Sequence, residues 1–180
     1  MAIKGQDHND IKERYDLARA NQASRGDRGA FGGGSTPSTS DIIDFIQIST
    51  AGNATDFGNI SSTDRQSLSA VASSTRGLYF GGGSNNNIEN TIDYITIASA
   101  GNVADFGNLS ASRRGGSGVG SETRGISMGG SSPSAYVNII EFMTIANTGN
   151  ATDFGNLSAG QNVGAGVTSP TRGIRMGGLQ

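Results

Sequence analysis

The sequence predicts an all-β protein assembled from a repeated unit of four short antiparallel strands. Three observations predict it. Arg-Gly pairs begin at Arg28, Arg76, Arg124 and Arg172, each 48 residues after the last. Asp-Phe-Gly begins at Asp56, Asp105 and Asp153, with steps of 49 and 48. The 29 glycines keep fixed places beside short runs rich in Ile, Phe and Tyr. A constant period of roughly 40–50 residues that carries several aligned features marks a repeat architecture. Periodic glycine next to short apolar runs reads as turns and close packing between strands.

Residues 1–24 do not share the period and are predicted to be a separate helical docking segment, followed by the repeat domain at 25–180. Asp7-His8-Asn9-Asp10 offers N-cap side chains. Ile11, Tyr15 and Ala18 then fall on one face of a short helix. About three turns of isolated helix are marginal in water. The segment is therefore expected to dock on the repeat body, a second copy or a larger assembly; a frayed tail is the other reading.

Within the repeats, Gly29–Gly34 reads as a short strand running into glycines, and Ile42–Ile48 as a strong strand. Both faces of the latter carry apolar residues, as expected for a strand covered on both sides. Thr55–Asn59 is a short outer strand. The second unit reads as Leu68–Ala72, Gly77–Gly81, Thr91–Ala98 and Val103–Asn108, and the third copies it. Val163–Val167 and Gly173–Met176 read as the first two strands of a fourth unit. The opening unit is expected to supply strands three and four and the closing unit strands one and two. Joined head to tail between chains, these halves would give a homo-oligomer, since unpaired strand edges invite pairing with another chain.

The net charge of −2 lacks the basic excess of a nucleic-acid binder. No apolar run approaches the ~20 residues that span a bilayer, and the first residues have no apolar core of the secretory type. There is no cysteine, so neither a disulfide framework nor thiol chemistry is expected. That fits a cytosolic origin, or a particle assembled in the cytoplasm and then released.

The periodic polar residues are the candidates for chemistry. Asp56, Asp105 and Asp153, with Asn53, Asn102 and Asn150 three residues before each, offer oxygen ligands for calcium. The structural reading, preferred here, is a turn at Gly-Asn and a carboxylate capping a strand edge. The Arg-Gly arginines could bind an anion; pairing with Asp44, Asp93 or Glu141 of a neighbouring repeat is preferred. His8, the only histidine, lies outside the repeats. Without Cys or a repeat histidine, the usual nucleophile-base arrangements are not expected. The acids recur in every repeat, whereas a catalytic pair should break the period, so no enzyme and no cofactor is predicted.

An apolar strand entering paired glycines, with an aromatic in the next strand, resembles a blade of the kelch family. The matching residues are Leu78-Tyr79-Phe80-Gly81-Gly82 with Tyr94, Ile126-Ser127-Met128-Gly129-Gly130 with Phe142, and Ala30-Phe31-Gly32-Gly33 with Phe45. The family's tryptophan is absent; Phe57, Phe106 and Phe154 are placed to fill its role. The wording IDYITIAS, GNVADFGNLS and SETRG is similar to repeat proteins of marine cyanobacterial phages described as virion structural proteins. This resemblance implies kelch-like β-propeller blades in a tail, fibre or head-neck component, located in the virion and attached to other virion proteins through residues 1–24. A different class is a host-recognition module that binds surface glycan through the loops Ser35–Ser40, Ser84–Asn90 and Ser131–Ala135. Its polar contacts would come from Ser84, Asn85, Asn86, Asn87, Ser131 and Ser132.

Overall fold

The computed structural model describes residues 27–180 apart from 36–38, 61–64, 85–86 and 170. The docking residues Ile11, Tyr15 and Ala18, and the loop residues Asn85 and Asn86, lie outside the described residues. Among the described residues the protein is all-β, with several antiparallel sheets and no helix. No closed propeller ring is formed among them.

The opening sheet has three strands, β1 (Arg28–Gly32), β2 (Ile42–Gln47) and β3 (Thr55–Asn59), in that order. The second has β4 (Ser69–Ala72), β5 (Arg76–Phe80), β8 (Thr91–Thr96) and β9 (Ala104–Asn108). A small hairpin between them, β6 (Gly83–Ser84) with β7 (Asn87–Ile88), was not expected from the sequence. The third sheet runs β10 (Ser117–Gly120), β11 (Arg124–Met128), β12 (Ile139–Thr144), β13 (Thr152–Asn156). The chain closes on the pair β14 (Ala165–Thr168) and β15 (Gly173–Met176).

The expected strand count of the opening unit is corrected. Arg28 leads β1 into pairing with β2, as Arg76 leads β5 into pairing with β8. The opening sheet thus already holds its second strand, and it overlaps the closing β14–β15 pair at that position. The reason is register: all five residues of β1, from Arg28 opposite Gln47 to Gly32 opposite Ile43, find partners on β2.

The Asp-Phe-Gly word is a β-bulge. Ile43 lies opposite Gly58 and Asp44 opposite Asp56, which leaves Phe57 as the extra residue. The same shift leaves out Phe106 and Phe154. A bulge inserts one unpaired residue and re-aims its side chain. Each of these rings meets its own sheet's aromatic edge-on: Phe45–Phe57 at 5.8 Å, Tyr94–Phe106 at 6.1 Å and Phe142–Phe154 at 6.3 Å.

The core lies between sheets. One cluster joins Ile43, Phe57 and Ile60 of the opening repeat to Tyr79 and Ile95 of the second. Another joins Leu78, Phe80, Ile92 and Phe106 of the second to Met143 and Ile145 of the third. Alternation explains the split: on β5, Leu78 and Phe80 face one neighbour and Tyr79 the other. The inner strands β5 and β8 of the second sheet are therefore covered on both faces.

Candidate functional site

The periodic polar residues converge on the junctions between consecutive sheets. The junctions share a common plan, which runs from the inner strands to the outer edge.

At the inner end, backbones meet. A Cβ on Gly118 of β10 would run into the Ala70 carbonyl of β4, and one on Gly166 of β14 into the Gly118 carbonyl. Glycine at these places lets the first strands stack closely, leaving room for Val71 of β4 and Val119 of β10 against the next strand.

The doubled glycine after each second strand receives the linker to the next repeat. Gly34 N–H donates to the Arg65 carbonyl and Gly82 N–H to the Arg113 carbonyl, both at 3.0 Å; Gly130 N–H donates to the Gln161 carbonyl at 2.8 Å. Gly33, Gly81 and Gly129 have φ of 73°, 62° and 64°, a region other residues rarely adopt. A Cβ at each would also meet the same linker carbonyl.

The linker arginine then points forward into the following sheet. The Arg65 guanidinium donates to the Asp93 carboxylate, to Gly81 O at 3.3 Å and to Thr91 O at 3.4 Å. Arg113 donates to Glu141 Oε2 at 2.5 Å and to Ser127 Oγ at 2.9 Å, while Ser110 N–H donates to the other Glu141 oxygen at 2.9 Å. All four charged side chains are 2% exposed or less. Burial pulls the Arg113 guanidinium below its ordinary value, and Glu141 beside it works in the opposite direction. A charge this deep is tolerable only when it is paired and hydrogen-bonded.

This corrects the expected partner of the acids. Asp93 and Glu141 pair with Arg65 and Arg113, not with the Arg-Gly arginines. The signal was in the sequence: Arg65 and Arg113 are 48 residues apart, and each stands 11 residues before an Arg-Gly pair.

The Arg-Gly arginines do a different job. Arg28, Arg76 and Arg124 lie over the rings of Phe45, Tyr94 and Phe142, at 4.9, 4.6 and 4.6 Å from the centroids. Arg28 also donates to Ile97 O of the next sheet at 2.8 Å; Arg76 donates to Ile145 O at 3.1 Å and Ala146 O at 2.9 Å. Each thus caps its own aromatic pair, and Arg28 and Arg76 also tie down the next repeat's turn.

The Gly-Asn turns complete the outer edge. Gly101 N–H donates to Phe57 O at 2.6 Å, Val103 N–H to Asn59 O at 3.0 Å, and Asn102 Oδ1 accepts from Asn59 N–H at 3.0 Å. One repeat later, Gly149 donates to Phe106 O, Ala151 to Asn108 O, and Asn150 Oδ1 accepts from Asn108 N–H at 3.0 Å. These asparagines cap the neighbouring sheet, not their own turn. Asp56, Asp105 and Asp153 lie opposite Asp44, Asp93 and Glu141 in the ladder and are exposed. Among the described residues, no group of three or more His, Cys, Asp or Glu could hold a metal ion.

The loop candidates are held locally. Ser84 is half-buried in β6, and exposed Asn87 donates to Glu89 at 2.5 Å. Ser131 Oγ donates to Ser132 O at 3.1 Å, and Ser132 Oγ to Ala135 O at 3.0 Å.

No protein-family model matches the chain, and no curated protein matches it.

Proposed function

We propose that this chain is a structural component of a phage particle, a tail, fibre or head-neck protein whose sheets are kelch-like propeller blades. One observation supports this reading most: Arg65, Arg76, Arg113, Asn102 and Asn150 at the junctions are each bound to an adjacent sheet. Such a molecule is a stack of mutually supporting sheets, suited to bearing load or extending a surface. The resemblance of its repeated words to virion proteins of marine cyanobacterial phages points the same way. In this reading residues 1–24 attach the array to other virion proteins, and the chain has no catalytic role.

The test is compositional. Purified particles should contain the chain, and deletion of residues 1–24 should abolish its incorporation while leaving the β circular-dichroism signal intact. Particles that lack the chain, or that take up the deletion variant normally, would overturn the reading.

A second reading, glycan recognition, is favoured by the loops after the paired glycines. They leave the same end of each sheet, and their form varies: the second carries the β6–β7 hairpin, the third the Ser131–Ala135 turn. Varied loops on a constant frame are where binding residues concentrate. A glycan array probed with the purified protein should show hits that weaken on Asn87→Ala or Ser132→Ala substitution; an array without hits removes this reading.

A further inference from the structure

Two charged residues at opposite ends of the row break the junction pattern, and they complement one another. The linker arginine of the earlier junctions, Arg65 and Arg113, is Gln161 in the last one. An arginine stands instead on the strand, where Arg175 of β15 replaces Tyr79 of β5 and Ser127 of β11. In the complete sheets those strand positions lie directly opposite the buried acid: Tyr79 faces Asp93, and Ser127 faces Glu141. Arg175 Nη1 donates to the Gln161 side chain and to Gly177 O at 2.9 Å. Its Nε and Nη2 are buried with no acceptor. At the other end, half-buried Asp44 is the counterpart of Asp93 and Glu141, and it has no ion pair among the described residues.

The edges match as well. Among the described residues β15 pairs with β14 on one side and with no strand on the other. Among the described residues β1 pairs with β2 and has no first strand beside it. A groove of about 250 Å³ runs along that open side, between Arg28 and Ala30 of β1 and Ala70 and Ala72 of β4. This is the place, relative to β4, that β4 takes relative to β10 and β10 relative to β14.

We propose that a second copy of this chain completes the last sheet: its β2 and β3 pair with the open edge of β15, which displaces that copy's β1 and brings Asp44 of one copy to Arg175 of the other. The register of β5 on β8 places Arg175 opposite Asp44, Ile174 opposite Phe45 and Gly173 opposite Ile46. β14 enters the groove beside β4 of the second copy. The turn Gly52-Asn53-Ala54 then caps β13 as its counterparts cap β3 and β9: Gly52 N–H to Phe154 O, Ala54 N–H to Asn156 O, and Asn53 Oδ1 to Asn156 N–H. Arg124 gains the Ile48 carbonyl, as Arg28 has Ile97 and Arg76 has Ile145.

The exchange is favourable because β1 is a poor occupant of its own place. It leaves Phe31 60% exposed, while Ile174 and Met176 of β15 are 53% and 52% exposed without a third strand beside them. β15 brings its first strand with it; β1 has none among the described residues. Such a contact is heterologous and closes into a ring or grows into a fibre.

The experiment uses the full chain, whose mass is 18.3 kDa. Light scattering at micromolar concentration should give a multiple of that mass. Arg175→Glu should weaken association roughly 100-fold by leaving two carboxylates face to face. Arg175→Glu combined with Asp44→Lys should restore it, which a folding defect would not do. The chain has no cysteine, so mixing an Asp44→Cys copy with an Arg175→Cys copy under oxidation should give a disulfide-linked pair. A single-copy mass overturns the proposal. So does an oligomer indifferent to Arg175→Glu, or a disulfide that closes within one chain when both cysteines are placed in it.

Discussion

Phe106 and Phe154 stand in the same word, on the same kind of bulge, against the same kind of aromatic partner. Phe106 is 2% exposed and Phe154 is 53% exposed. The difference lies in the neighbour: the Gly149-Asn150 turn covers β9, and among the described residues no such turn covers β13. The bulge, the aromatic contact and the arginine cap therefore form without a neighbouring repeat. Burial does not. A repeat here is a complete hydrogen-bonded sheet and an incomplete core.

That contrast can be tested in the Arg175→Glu chain, diluted until the weakened junction leaves single copies. The largest effect is expected at the buried charge. Arg113→Ala leaves Glu141 unpaired at the third sheet and should cost ~3–5 kcal/mol in urea denaturation; Gln161→Ala, at the same place one linker later, should cost well under half as much. Next, Phe106→Ala should cost ~3–5 kcal/mol through the cavity it leaves, and Phe154→Ala about 1 kcal/mol or less. Similar losses at both phenylalanines would mean that something already covers β13 in the single chain.

Two finer comparisons follow. Gly107 and Gly155 share the same backbone conformation, φ 146° and 138°, so alanine strains both equally. Only at Gly107 does the new Cβ also meet a carbonyl, that of Gly149. Gly107→Ala should therefore exceed Gly155→Ala by ~1–3 kcal/mol. Asn150→Ala should cost ~1 kcal/mol and speed amide exchange at Asn108, whereas Asn53→Ala should change neither stability nor exchange measurably. The smallest effect is on pH dependence. Burial between the first two sheets raises the Tyr79 phenol from 10.0 to about 12. The unfolded chain ionises first, so this contribution is full below pH 10 and is lost as pH rises towards 12. Tyr79→Phe should flatten that part of a stability-against-pH curve.

Much of this was readable in the residues. The period located nearly every strand, because glycine and β-branched residues recur at strand ends and interiors for local reasons. The mixed faces of Ile42–Ile48 pointed to cover on both sides, but Ile42 and Ile48 stay 50% and 64% exposed; only the counterpart strand β8 is covered on both faces, by a neighbouring sheet on each side. The bulge was not legible: an extra residue in one strand shows only against the register of its partner. The Arg65–Asp93 and Arg113–Glu141 pairs were half legible, as a second 48-residue spacing of arginine. Their partners were not, since 28 residues of chain separate each arginine from its acid.

The sequence by itself determined the repeat period, the main strands that follow it and the places where the backbone must bend through glycine. All of these depend on contacts within a few residues or on the allowed φ and ψ of one residue. Which acid meets which arginine, that the asparagines cap a neighbouring sheet, and that β1 takes the second place in its sheet were decided only by the tertiary structure. These depend on how sheets lie against each other, and the energy that fixes that is burial between repeats, which no single repeat contains.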